Sequence, residues 1–366
     1  MSLELKALVA VAVAMAVAGL ATPVMARVAS AIGLLDRPGG YKQHERPTPY
    51  LGGAAILLGV VAAALLVQGV GSPIAVILLA AAAMCAVGTI DDWRPIAPGT
   101  RLAVQAVIGA VIWAADAGWA TSGPSWLELL MTIGWVMLAV NSLNLLDNLD
   151  GAAASVAAAS AIGVTVIAIA AGGSAWAAVL AAGLVGACLG FLPFNTARPA
   201  RLFLGDGGST LIGFVIAVSA MGAFDGEPSP SVYLAAGLLV AVPLLDTALV
   251  VISRHRRGIS MLSGGRDHLT HRLNARLGDP RMVALELAAV QLVLAAIATF
   301  AVLIGPLAVL VAAGAYAIAT AATIMSLEAA FRAAPAPGVA PTAAGAEGGA
   351  MPMTTPAGPP RPVITK

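Results

Sequence analysis

Long apolar runs predict that this 366-residue chain is an all-α, polytopic integral membrane protein. Hydrophobic residues make up 60% of the sequence and charged residues only 10%. An average soluble domain has about 25% charged residues. The runs recur from end to end, and each is close to the roughly 17–25 residues that a helix needs to cross a bilayer.

About eleven such runs follow one another along the chain. They cover roughly 3–25, 51–71, 73–90, 101–119, 126–146, 152–172, 174–192, 209–224, 231–253, 282–303 and 306–328. The first run carries Glu4 and Lys6 near its start, and no soluble domain follows it. We therefore interpret it as a retained helix and not as a signal peptide.

The charges in the loops predict the orientation of these spans. Nearly all Lys and Arg residues lie in the loops after the odd-numbered spans, from Arg27 to Arg281. No Lys or Arg lies in the loops after the even-numbered spans, and the charged residues in or beside those loops are Asp116, Glu128, Asp225 and Glu227. By the positive-inside rule the first set of loops is cytoplasmic, the N-terminus is outside and the C-terminus is cytoplasmic.

The composition also defines the domain organisation. Residues 1–330 form a transmembrane domain, and the Ala/Pro/Gly-rich segment 331–366 is predicted to be a disordered cytoplasmic tail. Cys85 and Cys188 lie within apolar runs without CxxC spacing, which is typical of packing residues. No long basic run is present, so nucleic-acid binding is not expected.

A carboxylate lies among glycines at Gly205-Asp206-Gly207-Gly208, just before an apolar run. Glycines let the backbone approach a ligand closely. A helix beginning at about Gly208 would point its unpaired N–H groups at an anion. Asp206 could hold Mg²⁺, which prefers one or two carboxylates together with substrate phosphates. The alternative is that Asp206 only caps a helix.

A second acidic cluster is the pair Asp91-Asp92 at the cytoplasmic end of a predicted span. Adjacent carboxylates repel each other unless a cation or hydrogen-bond donors offset their charge. They could bind Mg²⁺ or act as a base toward a phosphate or hydroxyl group. The alternative is an ordinary solvated helix end.

Polar residues recur at every third position from Asn141 through Asn144 and Asp147 to Asp150. On a continuing helix this spacing gives a slowly turning polar stripe among leucines. The amides could contact a base or sugar, and Asp150 could reach the same metal as Asp206.

Three further clusters lie in predicted cytoplasmic loops, and two carboxylates lie in or near the spans. The loop clusters are Lys42 to Pro49, Asn195 to Arg201, and Arg266-Asp267-His268 to Arg272. Arginine suits phosphate because its guanidinium presents a planar fork of donors, so anion contacts fit the third cluster better than a metal site of His268 and His271. The carboxylates are Asp246 and Glu286; an intramembrane carboxylate is a functional candidate by default. For Asp246 we expect an inward-facing role, either structural or site-supporting, whereas the alternative for Glu286 is a simple position near the membrane interface.

Together these clusters resemble the motifs of the polyprenyl-phosphate N-acetylhexosamine-1-phosphate transferase family, over roughly residues 30–330. Five motifs occur in the family's order: Lys42-x-His44 to Gly52-Gly53; Asp91-Asp92; Asn141-x-x-Asn144-x-x-Asp147-x-x-Asp150-Gly151; Asn195 through Phe203-x-Gly205-Asp206; and Arg266-Asp267-His268-x-x-His271-Arg272.

Two positions depart from the family pattern. Asn148 stands where the family usually has glycine, and Thr270 stands where many members have histidine. The muramoyl-pentapeptide branch is richer in histidine at this motif, so Thr270 favours the branch that uses UDP-N-acetylglucosamine. A phospho-N-acetylmuramoyl-pentapeptide transferase is the alternative within the family.

The resemblance implies a magnesium-dependent reaction in which a lipid phosphate attacks the β-phosphate of a UDP-sugar and UMP leaves. It implies that Mg²⁺, or Mn²⁺ as a substitute, is held by Asp206 with Asp150. The implied catalytic residues are Asp91, Asp92, Asp206 and His268. The implied substrate-binding residues are Lys42, His44, Asn141, Asn144, Asp147, Asn195, Arg266, His271 and Arg272. We favour direct attack over a covalent enzyme intermediate, because a lipid phosphate is already an anionic nucleophile.

The implied partners are a UDP-sugar, a polyprenyl phosphate and the membrane, and a homodimer is compatible with the resemblance. The implied location is a bacterial plasma membrane, with the active site on its cytoplasmic face. The product would begin a cell-envelope glycan such as lipopolysaccharide or teichoic acid. Two other classes stay open: a transporter of nucleotide sugars or other anions, and a non-catalytic membrane scaffold.

Overall fold

The structure is a computed structural model that describes residues 1–37, 47–71, 73–224, 229–260 and 265–333. These residues are almost entirely helical. The helices are α1 Leu3–Ile32, α2 Gly52–Ala63, α3 Ile74–Trp93, α4 Pro98–Ala114, α5 Ser125–Leu146, α6 Ala152–Ala170, α7 Ala175–Asn195, α8 Gly205–Met221, α9 Pro230–Leu238, α10 Ala241–Arg257, α11 Leu269–Leu277, α12 Pro280–Ile304 and α13 Pro306–Ala333.

A small antiparallel pair of strands lies between α1 and α2. Strand β1, Leu35–Asp36, pairs with β2, Thr48–Pro49. The segment between these strands contains Lys42 and His44, which lie outside the described residues. The predicted tail likewise lies outside them beyond Ala333.

Every predicted apolar run coincides with a helix or with a bent pair of helices. Within the described ranges, seven helices are long and apolar enough to cross a membrane. The pair α9 and α10, bent by 82°, would make an eighth span. Helices α4 and α8, and α2 with its π-helical extension to Gln68, are shorter apolar helices. The chain is thus an all-α membrane protein, while the number of eleven spans stays a prediction.

Helix α8 lies at the centre of the fold. It packs against α2, α3, α5, α6 and α7, and it is buried continuously from Gly207 to Met221. Its apolar residues are therefore covered by other helices and not by lipid. The approach of α2 is close, because a Cβ on Gly53 would lie 2.4 Å from the backbone nitrogen of Gly208. Small residues permit such close helix contacts in membranes.

Helix α8 begins three residues earlier than the sequence predicts, at Gly205 and not at about Gly208. Gly205 has a φ angle of 74°, in the left-handed region that glycine adopts readily. As a result Asp206 lies within the first turn of the helix and not in the loop before it. Helix α11 is an additional short helix that the apolar pattern does not predict, because it is amphipathic and contains Arg272.

Candidate functional site

The functional candidates gather where several helix ends meet at one end of α8. Helix α3 ends at Trp93, α5 ends at Leu146 and α7 ends at Asn195, whereas α8 begins nearby at Gly205. Polar residues at the ends of these helices therefore come together, although they are far apart in sequence.

Asp206 is the centre of this arrangement. Its Oδ1 accepts a hydrogen bond of 2.8 Å from Nδ2 of Asn144, and the same amide nitrogen lies 2.9 Å from Oγ of Ser209. Its Oδ2 lies 3.7 Å from Nη1 of Arg101. The side chain is 37% exposed, so this carboxylate is accessible to a ligand. Asp206 therefore contacts side chains of α5 and α4, and its role in catalysis stays a prediction.

Asp91 is joined to Asp206 through the guanidinium of Arg101. Nη1 of Arg101 donates to Oδ2 of Asp91 at 2.5 Å, while Oδ1 of Asp91 accepts from the backbone N–H of Ile96 at 2.6 Å. The Asp91 side chain is only 7% exposed. Arg101 thus lies between two carboxylates and offsets their repulsion.

Asp92 caps α8. Its two oxygens accept the backbone N–H groups of Asp206, at 3.0 Å, and Gly207, at 3.3 Å. The predicted anion at this helix start is therefore supplied by the protein itself, which satisfies donors that a helix N-terminus leaves unpaired. A Cβ on Gly205 would lie 2.5 Å from Oδ2 of Asp92, so glycine is needed for this cap.

A narrow cavity of about 10 Å³ lies beside Asp206, and this volume is about that of a single water site. Its polar lining comprises Asp91, Arg101, Gln105, Asn141, Asn144, Asp206 and Thr210. The amide of Asn141 donates to Oε1 of Gln105 at 2.6 Å and to the carbonyl of Met137 at 2.7 Å. The amides of Asn141 and Gln105 thus join α5 to α4 at the wall of this cavity.

Asp147 follows the last residue of α5 and faces the same carboxylates. Burial raises the pKa of its carboxyl well above the ordinary value, and the nearby charges of Asp206, Asp92 and Asp150 raise that pKa further. Crowding of this kind favours either a proton or a bound cation at the site.

The chemistry of these donors fits a hard cation. In the described part of the chain, no group of three or more His, Cys, Asp or Glu residues is arranged to hold a metal ion. Mg²⁺ does not need such a cage, since one or two carboxylates and substrate phosphates are enough. Asp206 supplies an accessible carboxylate, and Asp147 and Asp150 contribute negative charge. The assignment of Asp150 as its second ligand stays a prediction.

Asn195 connects the loop after α5 to the loop before α8. Its Oδ1 accepts the backbone N–H of Gly151 at 2.7 Å, and its Nδ2 donates to the carbonyl of Leu202 at 3.1 Å. Because the side chain is buried and both of its polar groups are engaged, it holds the loop after α5 against the loop before α8. The structure thus gives it a supporting place; its predicted contact with substrate stays untested.

Asp246 of α10 orients the histidine motif. Its Oδ2 lies 2.9 Å from Nδ1 of His268, and its Oδ1 accepts the backbone N–H of Leu269 at 2.6 Å. All of these groups are buried. The predicted inward-facing position of Asp246 is therefore confirmed, and its partners lie in the histidine motif. Fixing one ring nitrogen in this way directs Nε2 of His268 away from α10.

Asp267, next to His268, is clamped by two arginines. Arg254 contacts both of its oxygens at 3.0 Å, and Arg257 donates to Oδ2 at 2.6 Å. Burial opposes ionisation of Asp267, but the hydrogen bonds and charges of Arg254 and Arg257 outweigh it and lower the pKa of this carboxyl to about 2. The start of the histidine motif is thereby attached to the end of α10.

Arg272, which is predicted to contact the diphosphate, has internal partners in the structure, and its contact with substrate stays a prediction. It is buried, and its Nη2 donates to Oε1 of Glu328 at 2.8 Å and to Oγ of Ser253 at 3.0 Å. It connects α11 with α13 and α10. His271 is half-buried, and burial together with the charges of Arg266 and His268 lowers its pKa. Arg266 and His271 keep their predicted substrate roles as predictions.

Three residues of the site were not selected from the sequence. The sequence pattern places Arg101 only among the cytoplasmic charges, and it gives no role to Gln105 or Glu328. Arg101 and Gln105 are four positions apart on α4, so they share one helix face. Arg101 also follows Asp91 by ten residues. A basic residue and an amide on one helix face, so soon after an acidic pair, are a pattern from which both residues could have been predicted. Glu328 is an acidic residue inside an apolar run, a position that makes any carboxylate a functional candidate.

Comparison with known proteins supports the same family. Residues 74–223 match the profile of glycosyl transferase family 4. A decaprenyl-phosphate N-acetylglucosaminephosphotransferase of Mycobacterium tuberculosis is 32% identical, over 69% of this chain and 72% of the relative. A probable undecaprenyl-phosphate N-acetylglucosaminyl 1-phosphate transferase of Bacillus subtilis is 30% identical, over 69% of this chain and 73% of the relative. An Escherichia coli undecaprenyl-phosphate alpha-N-acetylglucosaminyl 1-phosphate transferase is 27% identical, over 67% and 70%.

The helical membrane fold and the clustered motifs define a membrane transferase of the kind that acts on phosphate groups. The chain belongs to glycosyl transferase family 4, in the branch of the polyprenyl-phosphate N-acetylglucosamine-1-phosphate transferases.

Proposed function

We propose that the chain transfers N-acetylglucosamine-1-phosphate from UDP-N-acetylglucosamine to a membrane polyprenyl phosphate. Relatives at about 30% identity bear the names of such enzymes. The observation that carries the proposal is the contact series Asp91–Arg101–Asp206–Asn144 at the start of the central helix. This series brings two carboxylates, one guanidinium group and one side-chain amide into contact with one another.

In the proposed reaction a lipid phosphate oxygen forms a bond to the β-phosphorus of the donor. The bond from that phosphorus to the bridging oxygen breaks, and UMP leaves with the bridging oxygen. The product is a polyprenyl-diphosphate-sugar, the first lipid-linked intermediate of a cell-envelope glycan. Such a transfer depends on positioning and on neutralising phosphate charge, so the protein does not need to supply a nucleophile.

Mg²⁺, held by Asp206 with Asp150, would neutralise negative charge on the diphosphate when it is bound. Arg101 lies within reach of the same oxygens and adds a permanent positive charge. Asp91 orients Arg101 and the acceptor phosphate. Asp92 fixes the start of α8 and thereby the position of Asp206.

The remaining residues would bind the substrates. Asn141, Asn144 and Asp147 lie on the nucleotide side, and Lys42 and His44, outside the described residues, are assigned to the acceptor side. His268, held by Asp246, binds the diphosphate with His271 and Arg266. Arg272 supports this set through Glu328.

The finer topology is also part of the proposal. Eleven spans, an outside N-terminus and a cytoplasmic C-terminus agree with the distribution of Lys and Arg. The site then opens to the cytoplasm of a bacterium, where UDP-sugars are made. A homodimer is a further expectation.

The test uses purified protein, a polyprenyl phosphate, Mg²⁺ and a panel of UDP-sugars, with UMP and lipid-linked product both measured. The proposal expects both products with UDP-N-acetylglucosamine. Product with another UDP-sugar alone would keep the reaction and change the donor. No product with any donor, together with uptake of a nucleotide sugar by sealed vesicles, would favour a transporter instead.

Metal dependence is tested in the same assay. Exhaustive chelation should abolish turnover, and added Mg²⁺ or Mn²⁺ should restore it, because the diphosphate charge is then neutralised again. Full activity after chelation would contradict the metal assignment.

A further inference from the structure

The side-chain amide of Asn148 is held at both of its ends. Its Nδ2 donates to the carbonyl of Leu145 at 2.8 Å, and its Oδ1 accepts a hydrogen bond from the hydroxyl of Thr270. Leu145 belongs to the last turn of α5, and Thr270 belongs to the first turn of α11. One amide thus bridges two helix ends that are more than a hundred residues apart in sequence.

The hydrogen bond between Thr270 and Asn148 is shielded from solvent. Thr270 is completely buried, and Asn148 is half-buried. A buried hydroxyl that loses its acceptor has no water to replace it, so the bond is costly to break. The Thr270 hydroxyl is also already used by Asn148, so position 270 does not offer its proton to a substrate phosphate.

The bond joins the two loops that carry the proposed substrate contacts. Asn148 lies between Asp147 and Asp150, whereas Thr270 lies between His268 and His271. The two partners are also the two positions at which this chain departs from the family pattern. A glycine at 148 would offer no side-chain acceptor to Thr270. The two departures therefore form a single paired feature.

We propose that Asn148 and Thr270 form a positioning clamp that sets the spacing between the loop 147–151 and the histidine loop 266–271. This inference rests on the proposed function for its effect on catalysis, but not for its effect on the loops. Neither residue touches the reacting atoms. The clamp acts by placing Asp147 and Asp150 opposite His268 and His271, on the side where the UDP-sugar is bound.

Other contacts hold each loop to its own support. Asn195 binds the backbone of Gly151, and Asp246 binds His268 and Leu269. The clamp adds a direct link between the loops, so its loss should change their mutual spacing while each loop stays anchored. This separates a positioning role from a general role in folding.

The first test measures amide hydrogen exchange of the purified full-length protein without substrate. Thr270→Val, which keeps the shape and removes the hydroxyl, should speed exchange in segments 147–151 and 266–271 by about tenfold, as for the loss of one hydrogen bond. Thr270→Ser should keep the wild-type rates. Unchanged exchange in segment 147–151 of Thr270→Val would overturn the clamp, whatever reaction the protein catalyses.

The second test is a double-mutant cycle on UMP release. Thr270→Val and Asn148→Ala should each lower kcat/KM for the UDP-sugar by about tenfold and leave the KM for polyprenyl phosphate unchanged. The double variant should be no worse than the poorer single variant, because both remove the same bond. Thr270→Ser should restore activity to within about twofold of wild type.

The matched control is Thr299→Val. Thr299 is a buried threonine whose hydroxyl bonds to Ala295 of its own helix α12, so this change should leave the kinetics unaltered. Losses that multiply to about a hundredfold in the double variant would contradict the clamp. A wild-type protein inactive with every UDP-sugar would instead refute the proposed function, and hydrogen exchange would still decide the clamp.

Discussion

At the scale of single residues, the account depends on how Arg101 is placed between Asp91 and Asp206. Its guanidinium lies 2.5 Å from Oδ2 of Asp91 and 3.7 Å from Oδ2 of Asp206, so one cation offsets part of the repulsion between two carboxylates. The guanidinium also lines the narrow cavity beside Asp206. In the proposed reaction, Arg101 would exchange one carboxylate partner for a phosphate oxygen.

Removal of the negative charge on Asp206 or Asp91 tests whether each carboxylate takes part in catalysis. Asp206→Asn and Asp91→Asn should each lower kcat by at least about 100-fold, comparable to the loss of one electrostatic catalytic group, without preventing membrane insertion. UMP release by the purified variants is the measurement. The control is Asp279→Asn, since Asp279 pairs with Arg198 away from this cluster. Near wild-type kcat in either site variant would remove that residue from the mechanism.

Arg101 is tested by two substitutions that differ in charge. Arg101→Gln should lower kcat/KM by about 100-fold, whereas Arg101→Lys should lose only about tenfold, because an ammonium keeps the charge but not the planar fork. Kinetics with both substrates varied is the measurement. Equal losses in the two variants would mean that the positive charge itself is not used.

His271 makes a prediction about pH. Its pKa is lowered in the folded protein, so between that value and about 6.5 the unfolded chain binds a proton that the folded chain does not. The free energy of unfolding should therefore fall as the pH drops through about 6.5, and it should level off below the folded pKa. Thermal unfolding of wild type and His271→Gln at about pH 7.5 and about pH 5.5 measures this.

The variant should lose less stability on acidification than wild type. His255→Gln, a change at an exposed histidine, is the control. An equal loss in wild type and His271→Gln would show that His271 is not held in its neutral form.

At the scale of elements, the positions of helix ends could be predicted from the ends of apolar runs. The residues that each helix end contacts could not. The sequence indicated a polar stripe at the end of α5 and a carboxylate at the start of α8. It did not indicate that Asp92 caps α8. Asp92 and its partner Asp206 are 114 positions apart, and their contact exists only because α3 packs on α8. The internal partners of Asn195 and Arg272 could not be predicted for the same reason, and the predicted substrate contacts of both residues stay predictions.

The contact of α11 with α13 is tested at Glu328. Arg272 and Glu328 are each almost completely buried, and breaking a buried ion pair by removing one partner costs roughly 3–5 kcal/mol. Glu328→Ala should lower Tm clearly, whereas Glu286→Ala, a change at an exposed glutamate of α12, should change it little. A Tm of Glu328→Ala equal to wild type would show that the pair does not hold α11 to α13.

At the scale of the whole molecule, composition and apolar periodicity were enough to predict an all-α membrane protein. The eleven apolar runs match helices because hydropathy alone determines which segments avoid water. Hydropathy could not reveal the 82° bend between α9 and α10, or that α8 is enclosed by other helices. Those features depend on how the helices pack, and they are what gathers the motifs at one end of α8.

The central claim is that the sugar moves together with its phosphate. It is tested most directly with UDP-N-acetylglucosamine labelled in the β-phosphate, purified protein, polyprenyl phosphate and Mg²⁺. The account predicts that the label appears in the lipid product and that the released UMP carries none. Label remaining in released UDP would show transfer of the sugar alone, and unchanged labelled donor would show that the chain does not catalyse this reaction.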